Sequence, residues 1–173
     1  MRDISLHILD IAENSVKAGA KNIEIIIVED KINDLLTVEI TDDGEGMETS
    51  MAEKAADPFV TSRTTRKIGM GHPLLKASAE QAEGAFTVDS VLGKGTKVKA
   101  TFKLSHIDRK PLGNMTDTII ALVMFNSEVN IKYVQRCNNK EFLLDTKNFS
   151  NNGNSTNKIL SIKKYLQENI LTQ

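Results

Sequence analysis

Leu35–Met47 reads LLTVEITDDGEGM, a short segment rich in β-branched residues that runs directly into two aspartates and two spaced glycines. The first half has the composition of a strand. The second half, taken alone, is an ordinary acidic turn, because Asp and Gly are the residues that turns need. Its meaning depends on what lies on either side of it.

Upstream, apolar residues at Ile4, Ile8, Ile11 and Ala12 keep helical spacing, and Gly19 follows as a stop signal, so a helix is predicted over 4–18. NIEIIIVED (22–30) is a second β-branched segment, joined to the first by the polar turn KIND (31–34), and the two read as a strand pair. Downstream, a short helix is predicted from Thr49 to Ala56, then an aperiodic loop from Asp57 to Pro73, then a helix from Leu74 to Glu83 stopped by Gly84. AFTVDSV (85–91) and KVKATFKL (97–104) form another strand pair across an LGKGT turn. The fold class is therefore α/β (α+β), with strands in antiparallel pairs and helices on one face.

A polar stretch with Pro111 and Gly113 suggests a boundary near residue 106. Beyond it come a helix (Met115–Phe125), a hairpin (129–136 and 141–146) and NFSNNGNSTN, where five of ten residues are asparagine. The chain is divided accordingly into 1–106, a helix-and-hairpin extension at 107–146, an Asn-rich linker at 147–157 without expected order, and a final amphipathic helix from 158. The extension is suited to extending the sheet, to pairing two copies or to reading a signal.

The 22 Lys and Arg nearly cancel the 23 Asp and Glu of the 173 residues, for a formal charge of -1. No global field draws this chain to nucleic acid or an anionic membrane, so any anion must be held locally. Cys137 is the single cysteine, which excludes an internal disulfide, and it reads as a half-buried strand residue. The longest clearly apolar run, Ile119–Phe125, is far short of the roughly 20 residues that span a bilayer. No signal-peptide pattern opens the sequence, and a cytoplasmic location is expected.

Four weak motifs stand in a particular order: a helix bearing Asn14, the Asp42-x-Gly44-x-Gly46 loop leaving a strand, Gly69-Met70-Gly71 ahead of a helix, and Gly93-Lys94-Gly95-Thr96 between strands. Together they resemble the GHKL superfamily of ATP-binding domains, which includes gyrase-type topoisomerases, mismatch-repair ATPases, heat-shock chaperones and histidine kinases. The resemblance covers residues 1 to about 105 and implies the Bergerat fold, a mixed, mainly antiparallel sheet layered on helices, with nucleotide held between helices and a lid. It implies ATP and Mg²⁺ as ligands.

The chemistry of the residues agrees. A carboxylate is the natural acceptor for the exocyclic amine of adenine, which assigns the base to Asp42. Gly44 and Gly46 allow the backbone to approach the purine, and the resemblance gives the Thr96 hydroxyl a supporting role in the same contact. The amide oxygen of Asn14 is a hard neutral ligand suited to Mg²⁺. Lys17, one turn on, is placed to reach a phosphate. In the lid, Arg63, Arg66 and Lys67 precede Gly69 and Gly71, whose backbone amides before a helix make an anion site. Pro73 suits the first turn of that helix, and His72 adjoins the loop, placed either to touch a phosphate or to pack. DPFVTSR (57–63) is similar to a phenylalanine-containing box of histidine kinases, with Phe59 as a packing residue.

The branches of the superfamily differ one turn before Asn14. Hydrolysing members carry a glutamate there and many histidine kinases an asparagine; this chain has Asp10, the candidate catalytic base. ENSVKAGAKNIEI is similar to the mismatch-repair pattern, whereas Lys17 and PFVTSR are similar to the kinase side. His7 reads as structural, so autophosphorylation is not expected. The resemblance implies an ATP-dependent protein kinase or weak ATPase that passes phosphate to a separate protein partner. Alternatives are a nucleotide-gated binding switch with slow or no turnover, and a mismatch-repair-like ATPase. A homodimer is compatible with all three.

Overall fold

A computed structural model describes residues 2–55, 70–149 and 155–171. The elements in chain order are α1 (Ile4–Lys17), β1 (Asn22–Asp30), β2 (Leu35–Asp42), α2 (Thr49–Ala55), α3 (Gly71–Gln81), β3 (Phe86–Val91), β4 (Gly95–Lys103), α4 (Met115–Phe125), β5 (Asn130–Cys137), β6 (Lys140–Asp145), a 3₁₀ turn (Thr146–Asn148) and α5 (Ser155–Asn169).

The strands form one six-stranded sheet in the order β3-β4-β2-β1-β5-β6. All neighbours are antiparallel except β1 and β5, which run parallel. The hairpin after the polar boundary therefore continues the sheet of the first 106 residues. One cross-strand row explains why: Val88, Val98, Ile40, Ile25, Tyr133 and Leu144 stand opposite one another from one edge to the other. Successive strand residues alternate between faces, so this row and its neighbours Ile23, Ile27, Val38 and Phe102 build a single apolar face, nearly all of it buried.

Helices α1, α3 and α4 pack on that face, and α5 joins them through Ile162, Leu166 and the Tyr165 ring, which lies 5.5 Å from that of Phe142. The opposite face is charged: Lys97 and Lys99 lie 2.9 and 3.2 Å from Glu39, and Lys132 lies 2.7 Å from Glu24. A fully buried aliphatic side chain contributes roughly 1.5–3 kcal/mol, against about 0–1 for a surface ion pair. The sheet is thus held from its helix side.

The ends of α1 are fixed by local chemistry. Asp3 caps it by accepting from the Leu6 N–H at 3.1 Å, and the N–H groups of Ile4 and Ser5 donate to the carbonyls of Pro111 and Leu112. Gly19, at φ +78°, turns the chain from α1 toward β1. Two helix starts differ from the sequence expectation by three residues. α3 starts at Gly71, three residues earlier, because Gly71, His72 and Pro73 pack as a first turn without needing their own N–H partners. α5 starts at Ser155, and Asp145 caps an ordered turn within the expected linker by accepting from the Lys147 N–H. No helix among the described residues is long and apolar enough to cross a membrane.

Candidate functional site

A cavity of about 430 Å³ opens at the end of the sheet where β2 stops and β4 starts. α1 supplies one wall with Ile11, Asn14, Ser15, Lys17 and Ala18. The spacing of positions 11, 14, 15 and 18 places them on one helix face. The loop after β2 supplies Glu45, Gly46, Met47 and Glu48, and β4 supplies Thr96 and Val98.

Asp42 sits at the junction. It lies two residues after Ile40, so its side chain leaves the sheet on the helix side, where Ser15 Oγ donates to Oδ2 at 2.6 Å. The Gly44 N–H donates to Oδ1 at 2.9 Å. Each oxygen keeps a lone pair for a further donor. Asp43, the next residue, has a different role. Its carboxylate accepts from the Asn22 amide at 2.7 Å and from the backbone N–H groups of Asn22 and Lys21 at 2.8 Å each. These bonds, the Asn22 side chain first, hold Asp43 below the usual carboxylate range and tie the loop to the start of β1.

The glycines are needed for space. A Cβ on Gly44 would stand 3.0 Å from both the Ala18 carbonyl oxygen and Asp42 Oδ1. Gly46 adopts φ +67° against the Val91 carbonyl, and Gly95 adopts φ +113° against the Asp42 carbonyl; neither leaves room for a side chain.

Thr96 stands opposite Asp42 across the β2–β4 ladder. Its hydroxyl lies 2.8 Å from that of Ser90, which also accepts the Met47 N–H at 2.8 Å. Ser15 and Ser90 hold the site together without appearing in the motif reading. Ser15 was legible as a hydroxyl in a buried helical register beside Asn14. Ser90, in an exposed-looking strand, carried no signal.

Asn14 lines the cavity, and its Nδ2 is buried without a hydrogen-bond partner. An unused buried N–H donor on a cavity wall suits an acceptor such as a phosphate oxygen, whereas a cation would be taken by the oxygen of the same amide. Lys17 lines the same wall. Asp10 is placed otherwise. It is half-buried one turn before Asn14, is not among the lining residues, and its Oδ2 is buried without a partner. Gly71 packs against that carboxylate so closely that a Cβ would collide with it. Gly71 thus serves α1–α3 packing. Arg63 and Gly69, with Phe59, Arg66 and Lys67, lie outside the described residues.

His72 follows Gly71 and lines the cavity at 5% exposure. Burial lowers its pKa below the ordinary imidazole value, against the opposing fields of Asp10 and Asp42.

Residues 2–106 match the model of the histidine kinase-, DNA gyrase B- and HSP90-like ATPase family. Among curated proteins, the chain is 29% identical over 118 residues to the non-motile and phage-resistance protein of Caulobacter vibrioides, and 29% identical over 119 residues to the autoinducer 2 sensor kinase/phosphatase LuxQ of Vibrio harveyi. These matches cover 63% and 65% of this chain but 14% of each relative, so the chain spans a small part of the relatives' length. Among solved structures, it is similar in fold to the Aquifex aeolicus MutL ATPase domain complexed with ADP. The TM-score is 0.55 at 15% identity, covering 93% of this chain and 70% of that one. With the order of the motifs, the cavity where Asn14, Asp42, Gly46 and Thr96 meet and the matched 2–106 span in agreement, the chain belongs to the histidine kinase-, DNA gyrase B- and HSP90-like ATPase family.

Proposed function

We propose that this protein binds Mg²⁺-ATP in the cavity and passes the terminal phosphate to a separate protein. The observation that carries the binding is the Asp42 carboxylate, fixed by Ser15 and Gly44 with lone pairs left over at the cavity end. It presents a positioned acceptor to the amine of adenine. Asn14 and Lys17, on the α1 wall, would face the phosphates. Asn14 would hold a divalent cation, which supplies neutralisation of phosphate charge. Lys17 adds a second positive charge, and the walls of Ile11 and Val98 keep water from the base. A relative named as a sensor kinase/phosphatase, and another as a putative sensor histidine kinase, agree with phosphate transfer.

A second reading, a nucleotide-gated switch with slow or no turnover, is favoured by Asp10. Its Oδ2 is packed under Gly71 and is not on the cavity wall, and a base must first be within reach of the proton it takes.

ATP labelled on its terminal phosphate, incubated with Mg²⁺, the protein and a lysate of its source cells, separates the two. Label appearing on a lysate protein, and disappearing with Asn14→Ala, is the expected result. Label remaining in ATP despite binding that Asp42→Asn removes would leave the switch.

A further inference from the structure

His72 is the one cavity-lining imidazole among the described residues, and nothing in the motif logic requires it. It is 5% exposed, its Nδ1 is buried without a hydrogen-bond partner, and no hydrogen bond to Nε2 occurs among the described residues. A neutral imidazole carries one N–H and one lone pair, and the one on Nδ1 is unused. A polar group left in this state costs stability, and a leucine of similar size would avoid that cost. The ring is nevertheless well held. It meets the Phe86 ring edge-on, with centroids 6.5 Å apart and planes at 84°, and its residue belongs to the first turn of α3.

Phe86 on β3 stands opposite Ala100 on β4, two residues beyond the cavity wall at Val98. The charges of Asp10 and, after it, Asp42 both act on the imidazole, against its burial. His72 and Asp42 thus line one cavity, the imidazole reaching it from the first turn of α3 and the carboxylate from the end of β2.

The 6-position edge of adenine presents a donor amine flanked by two ring-nitrogen acceptors, N1 and N7. A carboxylate satisfies the amine, and an N–H beside it would satisfy one ring nitrogen. We propose that His72 is a base-contacting specificity residue, whose ring N–H donates to a ring nitrogen of the purine while Asp42 accepts from the exocyclic amine. The pair then reads an acceptor-next-to-donor edge, the reverse of the O6 and N1–H edge of guanine. This rests on the cavity being a nucleotide site, and the test separates the two.

The test is calorimetric titration with ADP and with its analogues lacking N1 or N7, on the wild type, His72→Leu, His72→Gln and Asp42→Asn. The wild type is expected to bind one of the two analogues about three- to tenfold more weakly than ADP, the span of one net hydrogen bond. His72→Leu should lose ADP affinity by the same factor and bind that analogue and ADP alike. It should melt no lower than the wild type, because it removes an unpartnered buried nitrogen. His72→Gln, which keeps a donor, should retain part of the discrimination. An unchanged ADP affinity and analogue pattern in both variants would overturn the inference while Asp42→Asn still abolished binding, leaving the nucleotide site intact. A wild type that binds no ADP would overturn both.

Discussion

Asp42 and Asp43 are adjacent acids with opposite duties, and the difference comes from strand alternation. Asp42 takes the helix side and keeps lone pairs for a ligand; Asp43 takes three donors from Lys21 and Asn22 and is spent on the loop. The motif singled out Asp42, and it is this side chain, not that of Asp43, that lines the cavity; the glycines whose contacts forbid a side chain were legible with it. Ser15→Ala removes the 2.6 Å bond that orients Asp42. It is expected to lower ADP affinity about tenfold, equivalent to roughly 1.4 kcal/mol, with little change in melting temperature, as read by calorimetry; an unchanged affinity would mean that Gly44 alone positions the carboxylate. Gly71 reads in the sequence as part of an anion site, and its packing role was not legible there. Its contact with Asp10 joins α1 and α3, residues far apart in sequence. Gly71→Ala is expected to destabilise the fold by about 1–3 kcal/mol in urea denaturation. Adding Asp10→Ala should recover more than about 0.5 kcal/mol of that loss. Additive effects would show that the backbone, and not this carboxylate, excludes the methyl.

At the scale of elements, the strands themselves were readable, because each is a short β-branched run bounded by turns, and their antiparallel hairpins follow from short connections. The parallel pairing of β1 with β5 was not readable. It joins segments about a hundred residues apart, and a local pattern carries no information about such a pairing. The family match ends at 106, yet the sheet continues through Ile25 opposite Tyr133. A chain ending at 106 would leave the β1 edge with unpaired backbone groups and deprive Ile4 and Ser5 of the Pro111 and Leu112 carbonyls. It is expected to aggregate or to melt without a cooperative transition, by size exclusion and circular dichroism. A monomer with the melting temperature of the full chain would instead make the last strands a dispensable appendage.

For the molecule as a whole, the packing of α1 against the segment that leads into α4 makes stability depend on pH through His7. The sequence identified this residue as structural, and its ring is fully buried, with Nδ1 unpartnered and Nε2 3.4 Å from Lys110 Nζ. Burial, and then the positive charge of Lys110, push its pKa down to about 4, with Asp3 opposing. In the unfolded chain an imidazole titrates near 6.5. Between about 6.5 and about 4 the unfolded state therefore binds the extra proton, and stability rises with pH. The contribution is fully present above about 6.5 and is lost as the pH falls toward 4, with a slope of at most about 1.4 kcal/mol per pH unit for one proton. Thermal melts across this window should show the loss in the wild type. His7→Leu should flatten the His7 part of the slope while leaving the alkaline side unchanged, and Lys110→Met should lessen the depression and narrow the window from its acid end. If His7→Leu kept the wild-type slope, the carboxylates and not this buried ring would govern acid unfolding, and the joint between α1 and the chain's last third would be insensitive to protons.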